Sequence, residues 1–78
     1  MNNDELKQNL FAVIADRYKT GFKTQTEFAK AINMPQSNVS RLLRSDSAYF
    51  SVSKLIDICL VLGVQVEIKV GKTKIALK

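Results

Sequence analysis

The segment PQSNVSRLLR, residues 35–44, combines two amide, two hydroxyl and two guanidinium side chains. The amides of Gln36 and Asn38 each carry a donor and an acceptor, which complement N6 and N7 of adenine in the DNA major groove. Arg41 can bind O6 and N7 of guanine through two parallel hydrogen bonds. Ser37 lies between the amides and can contact either a base or a phosphate. We therefore predict that Gln36, Ser37, Asn38 and Arg41 read bases.

Further polar and basic side chains around this segment are suited to phosphate. Thr24 and Gln25 come at the start of a predicted helix, where backbone amides favour anions. Arg44 and Lys54 flank the segment with positive charge, and Ser40 faces partly outward. The predicted phosphate contacts are Thr24, Gln25, Ser40, Arg44 and Lys54.

The distribution of charge agrees with a polyanionic partner. The chain has 78 residues and a net charge of +5. Between Arg17 and Lys54, seven basic and two acidic residues give this stretch a charge of +5. A small basic domain of this kind favours double-stranded DNA as the partner, with an anionic membrane surface second.

Composition excludes several other kinds of site. Histidine is absent and Cys59 is the one cysteine, so the sequence offers no zinc cluster, no histidine-based catalytic set and no internal disulfide. We expect no enzyme activity, no cofactor and no metal, and a buried structural role for Cys59. The acidic start lacks an apolar signal region, and no apolar run approaches the ~20 residues that span a bilayer. These features predict a cytoplasmic protein with no membrane partner.

Apolar spacing predicts a mainly α domain over residues 1–78, with about four helices and a C-terminal β-hairpin. Helix 1 is expected from Asn3 to about Lys19, with Gly21 closing it in the left-handed conformation. Helix 2 is expected from Gln25 to about Ile32. It begins with a capping box, in which the Glu27 carboxylate reaches back to the Thr24 amide.

Asparagine tolerates the left-handed conformation, so Asn33 can end helix 2. Helix 3 then runs from Gln36 to about Arg44, and helix 4 runs from a Ser51 cap to Gly63. Tyr49 and Phe50 are expected to pack under the loop between them. The predicted core residues are Phe28, Ile32, Val39, Leu42, Leu55, Ile56 and Leu62.

After Gly63 the apolar period changes from helical to alternating, which predicts a hairpin over residues 64–77. Gly71 and Lys72 suit a two-residue type II′ turn. The alternating residues Val64, Val66, Ile68 and Val70 form the predicted dimer interface, because a two-stranded hairpin is marginal alone and its open edge can pair with a second chain. The alternative is that the hairpin covers its own helices and helix 4 forms the interface.

Helices 2 and 3 form a predicted helix-turn-helix over residues 25–43. This stretch resembles the helix-turn-helix of the phage-repressor family, also called Cro-like or XRE. With Gln25 as the first motif position, the small and apolar positions are matched by Ala29, Ile32, Met34, Val39 and Leu42. Asn33 stands where the family usually has glycine. FSVSKLIDICLVLG and VQVEIKV resemble the next helix and strand of a branch that includes HigA-like antitoxins.

The resemblance implies a compact repressor-like fold, a base-reading residue at Gln36 and a phosphate clamp at Gln25. It leaves two functions open. The first is a dimeric repressor or autorepressor on a palindromic operator, whether an autorepressing antitoxin, a phage or mobile-element repressor or a controller of a restriction system. The second is an antitoxin that mainly binds and neutralises a toxin protein. The polar face of helix 3 favours the first, because protein-binding faces are richer in aromatic residues.

Overall fold

The computed structural model describes residues 3–76, apart from the side chains of Asn3, Ile68 and Lys69. The elements are α1 (Asn3–Gly21), α2 (Gln25–Ala31), α3 (Gln36–Leu43), α4 (Val52–Val61), β1 (Glu67–Val70) and β2 (Thr73–Ala76). The predicted mainly α fold with a C-terminal hairpin is confirmed. Within residues 3–76, none of the helices combines the length and the hydrophobicity that a membrane span requires.

The helices share one core, in which α1 lies against α4 and α3, and α2 lies against α3. Phe28 at the centre has no exposed surface. The rings of Tyr18 and Phe22 meet it edge-on, with centroids 5.2 and 5.0 Å away. These aromatic contacts hold α2 on the end of α1.

The predicted core is correct for α2 and α3 and partly wrong for α4. The buried apolar residues are Leu10, Phe11, Ile14, Phe28, Ala29, Ile32, Val39, Leu42, Phe50, Leu55, Ile58 and Cys59. Ile56 and Leu62 are only half-buried, whereas Ile58 was missed. Seven of the ten residues of α4 are apolar, so more than one face could turn inward. Packing on α1 selects the face that carries Leu55, Ile58 and Cys59.

The ends of α2, α3 and α4 share one backbone arrangement. The residue after each C-cap has a positive φ: 53° at Asn33, 59° at Ser45 and 77° at Gly63. After α2, the Asn33 amide donates to the Lys30 carbonyl and the Met34 amide to the Ala29 carbonyl, at 3.2 and 2.9 Å. This pair of bonds is a Schellman motif, and it confirms Asn33 as the residue that ends α2.

Two predicted details at helix ends are wrong. Gly21 does not have a positive φ and is the last residue of α1, and the next amide, of Phe22, still donates to the Tyr18 carbonyl at 3.1 Å. The Thr24 hydroxyl accepts from the Glu27 amide at 3.1 Å, as predicted. The Glu27 carboxylate, however, accepts from the backbone amide of Lys23 at 3.2 Å. The predicted donor was the amide of Thr24, which is one residue closer to the helix.

The hairpin is shorter than predicted and stands apart from the helices. Strand pairing begins at Glu67, opposite Ala76, because Val64 and Val66 instead pack half-buried against the helical core. Gly71 has a φ of 60° and Lys72 does not have a positive φ, as a type II′ turn requires. All strand side chains that the structure describes are exposed. Of the described residues in the predicted hairpin, Val64 and Val66 cover the helices and the side chains of the paired strands do not, and residue 77 lies outside the described range.

Candidate nucleic-acid interface

The fold turns one face of α3 inward and leaves the opposite face uncovered. Val39 and Leu42 are 0% and 1% exposed and fix α3 on the core. Ser37, Arg41 and Arg44 follow one another at intervals of four and three residues, so they form a strip along the outward side, and all three are exposed. We call these three residues the outward strip.

The other predicted base-reading residues lie on the flanks of α3. Gln36 is the first residue of the helix and is exposed, whereas Asn38 is half-buried. Pro35 is the N-cap and gives no side-chain hydrogen bond to the first turn. The structure thus brings the four predicted reading residues onto the first two turns of one short helix.

Arg41 stacks on an aromatic residue from the loop after α3. Its guanidinium carbon lies 4.3 Å from the centroid of the Tyr49 ring. Tyr49 itself is 46% exposed. A guanidinium that stacks on a ring contacts it through its flat face, so its N–H groups stay available for hydrogen bonds in the plane of the guanidinium.

Tyr49 also holds Asn38. The Tyr49 hydroxyl donates to Oδ1 of Asn38 at 3.1 Å. This bond occupies one lone pair of the amide oxygen and leaves the Nδ2 hydrogens free. The second lone pair of Oδ1 and the Nδ2 hydrogens remain for adenine N6 and N7, or for a phosphate, so Tyr49 limits how the amide can be oriented towards DNA.

A second link joins the two helices of the motif. The Ser40 hydroxyl on α3 donates to Oε1 of Gln25, the first residue of α2, at 3.5 Å. Both side chains are half-buried. The bond leaves the Nε2 hydrogens of Gln25 free, as contact with a phosphate oxygen would require.

A family model described as a helix-turn-helix domain matches residues 2–71. The chain belongs to this helix-turn-helix family. The match covers all four helices and β1. No curated protein matches the chain. Helix-turn-helix domains place their second helix in the DNA major groove, so the outward strip of α3 is the candidate DNA-reading surface.

The remaining predicted phosphate residues surround the helix-turn-helix. Thr24 is the exposed N-cap of α2, and Arg44 is the exposed C-cap of α3. Lys54 lies exposed in the first turn of α4, where its amide donates to the Ser51 hydroxyl at 3.1 Å. Within the described part of the chain, no hydrogen bond joins the side chains of Thr24 or Lys54 to α3.

Tyr49 is the residue of the helix-turn-helix surface that sequence reasoning missed. Phe50 packs inward as expected, is 3% exposed and meets the Phe11 ring at 6.1 Å. Tyr49 instead turns out of the core and lies along α3. Its separation from Arg41 by a loop gives no periodic signal, although an aromatic residue just beyond a basic helix is a composition that could have drawn notice.

Cys59 takes no part in this helix-turn-helix surface. It is 1% exposed within the core, and burial raises the pKa of its thiol. The neutral thiol is therefore favoured, and the prediction of a buried structural cysteine is confirmed.

Proposed function

We propose that this protein is a sequence-specific double-stranded DNA-binding transcriptional regulator that acts as a dimeric repressor or autorepressor on a palindromic operator. The observation that carries the proposal is the outward strip of α3. It is polar and cationic, it is left uncovered by the fold, and it belongs to the second helix of a helix-turn-helix. Repression by occluding a promoter needs no catalysis, cofactor or metal.

The proposed binding mode inserts α3 into the major groove, about 12 Å wide. Arg41 takes guanine through O6 and N7, and Gln36 reads adenine or a neighbouring base. Ser37 and Asn38 add contacts on either side. The free amide of Gln25 holds a phosphate next to the groove, and further phosphates are held by Thr24, Ser40, Arg44 and Lys54.

We further propose that two copies join through the hairpin. Val70 and Ile75 are 59% and 44% exposed. Val70 is opposite Thr73, and Ile75 lies two residues beyond Thr73, so Val70 and Ile75 belong to one face of the hairpin. A second copy would cover this apolar face or extend an open strand edge, while Val64 and Val66 anchor the hairpin to each domain.

The second candidate function is that of a toxin-neutralising antitoxin, and the same hairpin is what favours it. An uncovered apolar face beside open strand edges also suits a partner protein. The resemblance of helix 4 and its following strand to HigA-like proteins of the Cro-like family agrees with this candidate. In both cases we propose that the protein acts in the cytoplasm.

Selection of bound duplexes from a random DNA pool tests the proposed function. The unmodified chain should enrich a palindrome, and Gln36→Ala and Arg41→Ala should each relax the preference at a particular base in both half-sites. Lys74→Ala is the control, because it removes one positive charge from an exposed position on the hairpin. It should weaken binding slightly at most and keep the same palindrome.

If the selected duplexes share no sequence and binding simply weakens as the salt concentration rises, the proposal is contradicted. The protein would then be a basic domain that binds DNA without sequence specificity. The antitoxin candidate would in that case become the leading one, to be tested by isolating a stable complex with the product of a neighbouring gene.

A further inference from the structure

We propose that Tyr49 is a positioning residue for DNA recognition, which fixes Arg41 and Asn38 on α3 before DNA is bound. The proposal rests on the proposed DNA-binding function and extends it to a residue outside the helix-turn-helix segment. One tyrosine makes two different contacts, a ring contact with Arg41 and a hydroxyl contact with Asn38. These two partners lie three residues apart, on adjacent turns of α3.

The loop that carries Tyr49 is anchored on both sides of it. Before it, the Lys7 ammonium on α1 donates to the Ser47 carbonyl at 2.8 Å. After it, Phe50 is buried against Phe11. The Tyr49 amide itself donates to the Asp46 carbonyl at 3.1 Å, which closes a tight turn. The tyrosine ring is thus presented to α3 from a support that belongs to the core.

Among residues 3–76, no described contact other than that with Tyr49 fixes the Arg41 guanidinium. Within the described part of the chain, no carboxylate forms an ion pair with it, and it is exposed. A free arginine side chain loses rotamer entropy when it orders on a base. Stacking on Tyr49 already restricts the side chain in the free protein, so Arg41 loses less rotamer entropy when its guanidinium binds guanine.

The hydrogen bond from the Tyr49 hydroxyl fixes the orientation of the Asn38 amide. With Oδ1 accepting from Tyr49, the Nδ2 hydrogens are directed away from the tyrosine. Removing the hydroxyl frees the amide to turn over. Tyr49 therefore determines both the position of a guanine reader and the orientation of the neighbouring amide.

Two substitutions separate these contacts. Tyr49→Phe keeps the ring and removes the hydroxyl, whereas Tyr49→Leu removes both. Tyr18→Phe is the matched control, since Tyr18 lies on α1 against Phe28, away from the outward strip. Affinities would be measured for the selected operator, for each single-base variant of it and for random duplex, and thermal unfolding would confirm that every variant is folded.

Tyr49→Leu is expected to lower discrimination at the base read by Arg41 by about two- to fivefold, with unchanged affinity for random duplex. Tyr49→Phe should keep discrimination at that base and alter the preference only at the base next to Asn38. In an Arg41→Ala background, Tyr49→Leu should no longer affect the Arg41 base, because the effect passes through Arg41.

Folded Tyr49→Leu protein that discriminates as well as the unmodified chain would overturn the proposal. An equal loss of affinity for operator and random duplex would also overturn it, because that result would make Tyr49 a general backbone contact. Absence of any preferred sequence for the unmodified chain would overturn this proposal together with the proposed function. A second measurement needs no DNA: the Arg41 side-chain protons should show an upfield ring-current shift by NMR that disappears in Tyr49→Leu.

Discussion

The guanidinium of Arg41 lies 4.3 Å from the centre of the Tyr49 ring, although a turn and a loop separate the two residues in the chain. Arg41 is thus a pre-arranged side chain on the exposed face of α3. Arginine suits this place better than lysine, because a planar guanidinium can stack on a ring and still form two parallel hydrogen bonds with guanine.

Arg41→Lys should therefore behave almost as Arg41→Ala in base discrimination while it keeps its charge. Both variants are expected to lose about 1–3 kcal/mol of preference for the base that Arg41 is proposed to read. Only Arg41→Ala removes a positive charge, so only this variant should reduce the slope of log binding constant against log salt concentration, by about one unit. Binding titrations at several salt concentrations measure both quantities. A lysine variant with full discrimination would show that charge alone is needed at this position.

The bond between Ser40 and Gln25 predicts an effect on affinity rather than on specificity. Ser40→Ala releases the Gln25 amide, and we expect weaker binding to all duplexes alike, by up to about 1 kcal/mol. In a Gln25→Ala background, Ser40→Ala should weaken binding less than it does in the unmodified chain, because only the proposed contact between Ser40 and a phosphate is then lost. Affinities for operator and random duplex measure this cycle. A changed base preference in Ser40→Ala would instead make Ser40 a base contact.

Asn33 has a φ of 53°, which a residue with an ordinary Cβ adopts only at a cost. Asn33→Ala is expected to lower the free energy of unfolding by about 1 kcal/mol, whereas Asn33→Gly should leave it nearly unchanged. Urea unfolding followed by circular dichroism measures the difference. Equal stability of the alanine and glycine variants would show that the backbone strain is relieved elsewhere.

Cys59 predicts a loss of stability at alkaline pH. Burial raises the pKa of its thiol in the folded state. Above about pH 8.5 the unfolded chain therefore gives up this proton while the folded chain keeps it, so stability falls as pH rises. Unfolding in urea at pH 7 and pH 9.5 should show a smaller fall for Cys59→Ala than for the unmodified chain. An identical fall in both would assign the effect to other groups.

The proposed dimer through the hairpin predicts which substitutions would separate the two copies. Ile75→Lys places a charge on the apolar face that Val70 shares, and it should convert a dimer to a monomer at micromolar concentration. Ala76→Lys adds the same side chain to the opposite face, because neighbouring strand residues point in opposite directions, and it should leave the dimer intact. Light scattering measures both. A monomeric unmodified chain at that concentration would exclude the proposed interface.

The helices could be predicted from sequence because their signals are local. Thr24 and Ser51 cap α2 and α4 with their own side chains, and Asn33 ends α2 within a few residues. The periodic apolar residues of α3, Val39 and Leu42, identified the buried face and so also the outward one. A helix-turn-helix is defined almost entirely by such short-range features, which is why its reading residues could be proposed before the structure.

The start of β1 and the inward face of α4 needed the tertiary structure. Val64 and Val66 alternate as strand residues do, but the core binds them before strand pairing begins at Glu67. Ile58 is buried because α4 packs on α1 at that face. In both places several apolar residues could have been buried, and packing against distant parts of the chain determined which of them are.

The sequence by itself determined that α3 carries the polar groups which can read DNA. Only the tertiary structure decided how those groups are held. Burial of Phe50 and the bond from Lys7 to the Ser47 carbonyl set the path of the loop after α3. That path brings Tyr49 to Arg41, a contact that depends on where two separate parts of the chain meet in space rather than on the spacing of residues within either one.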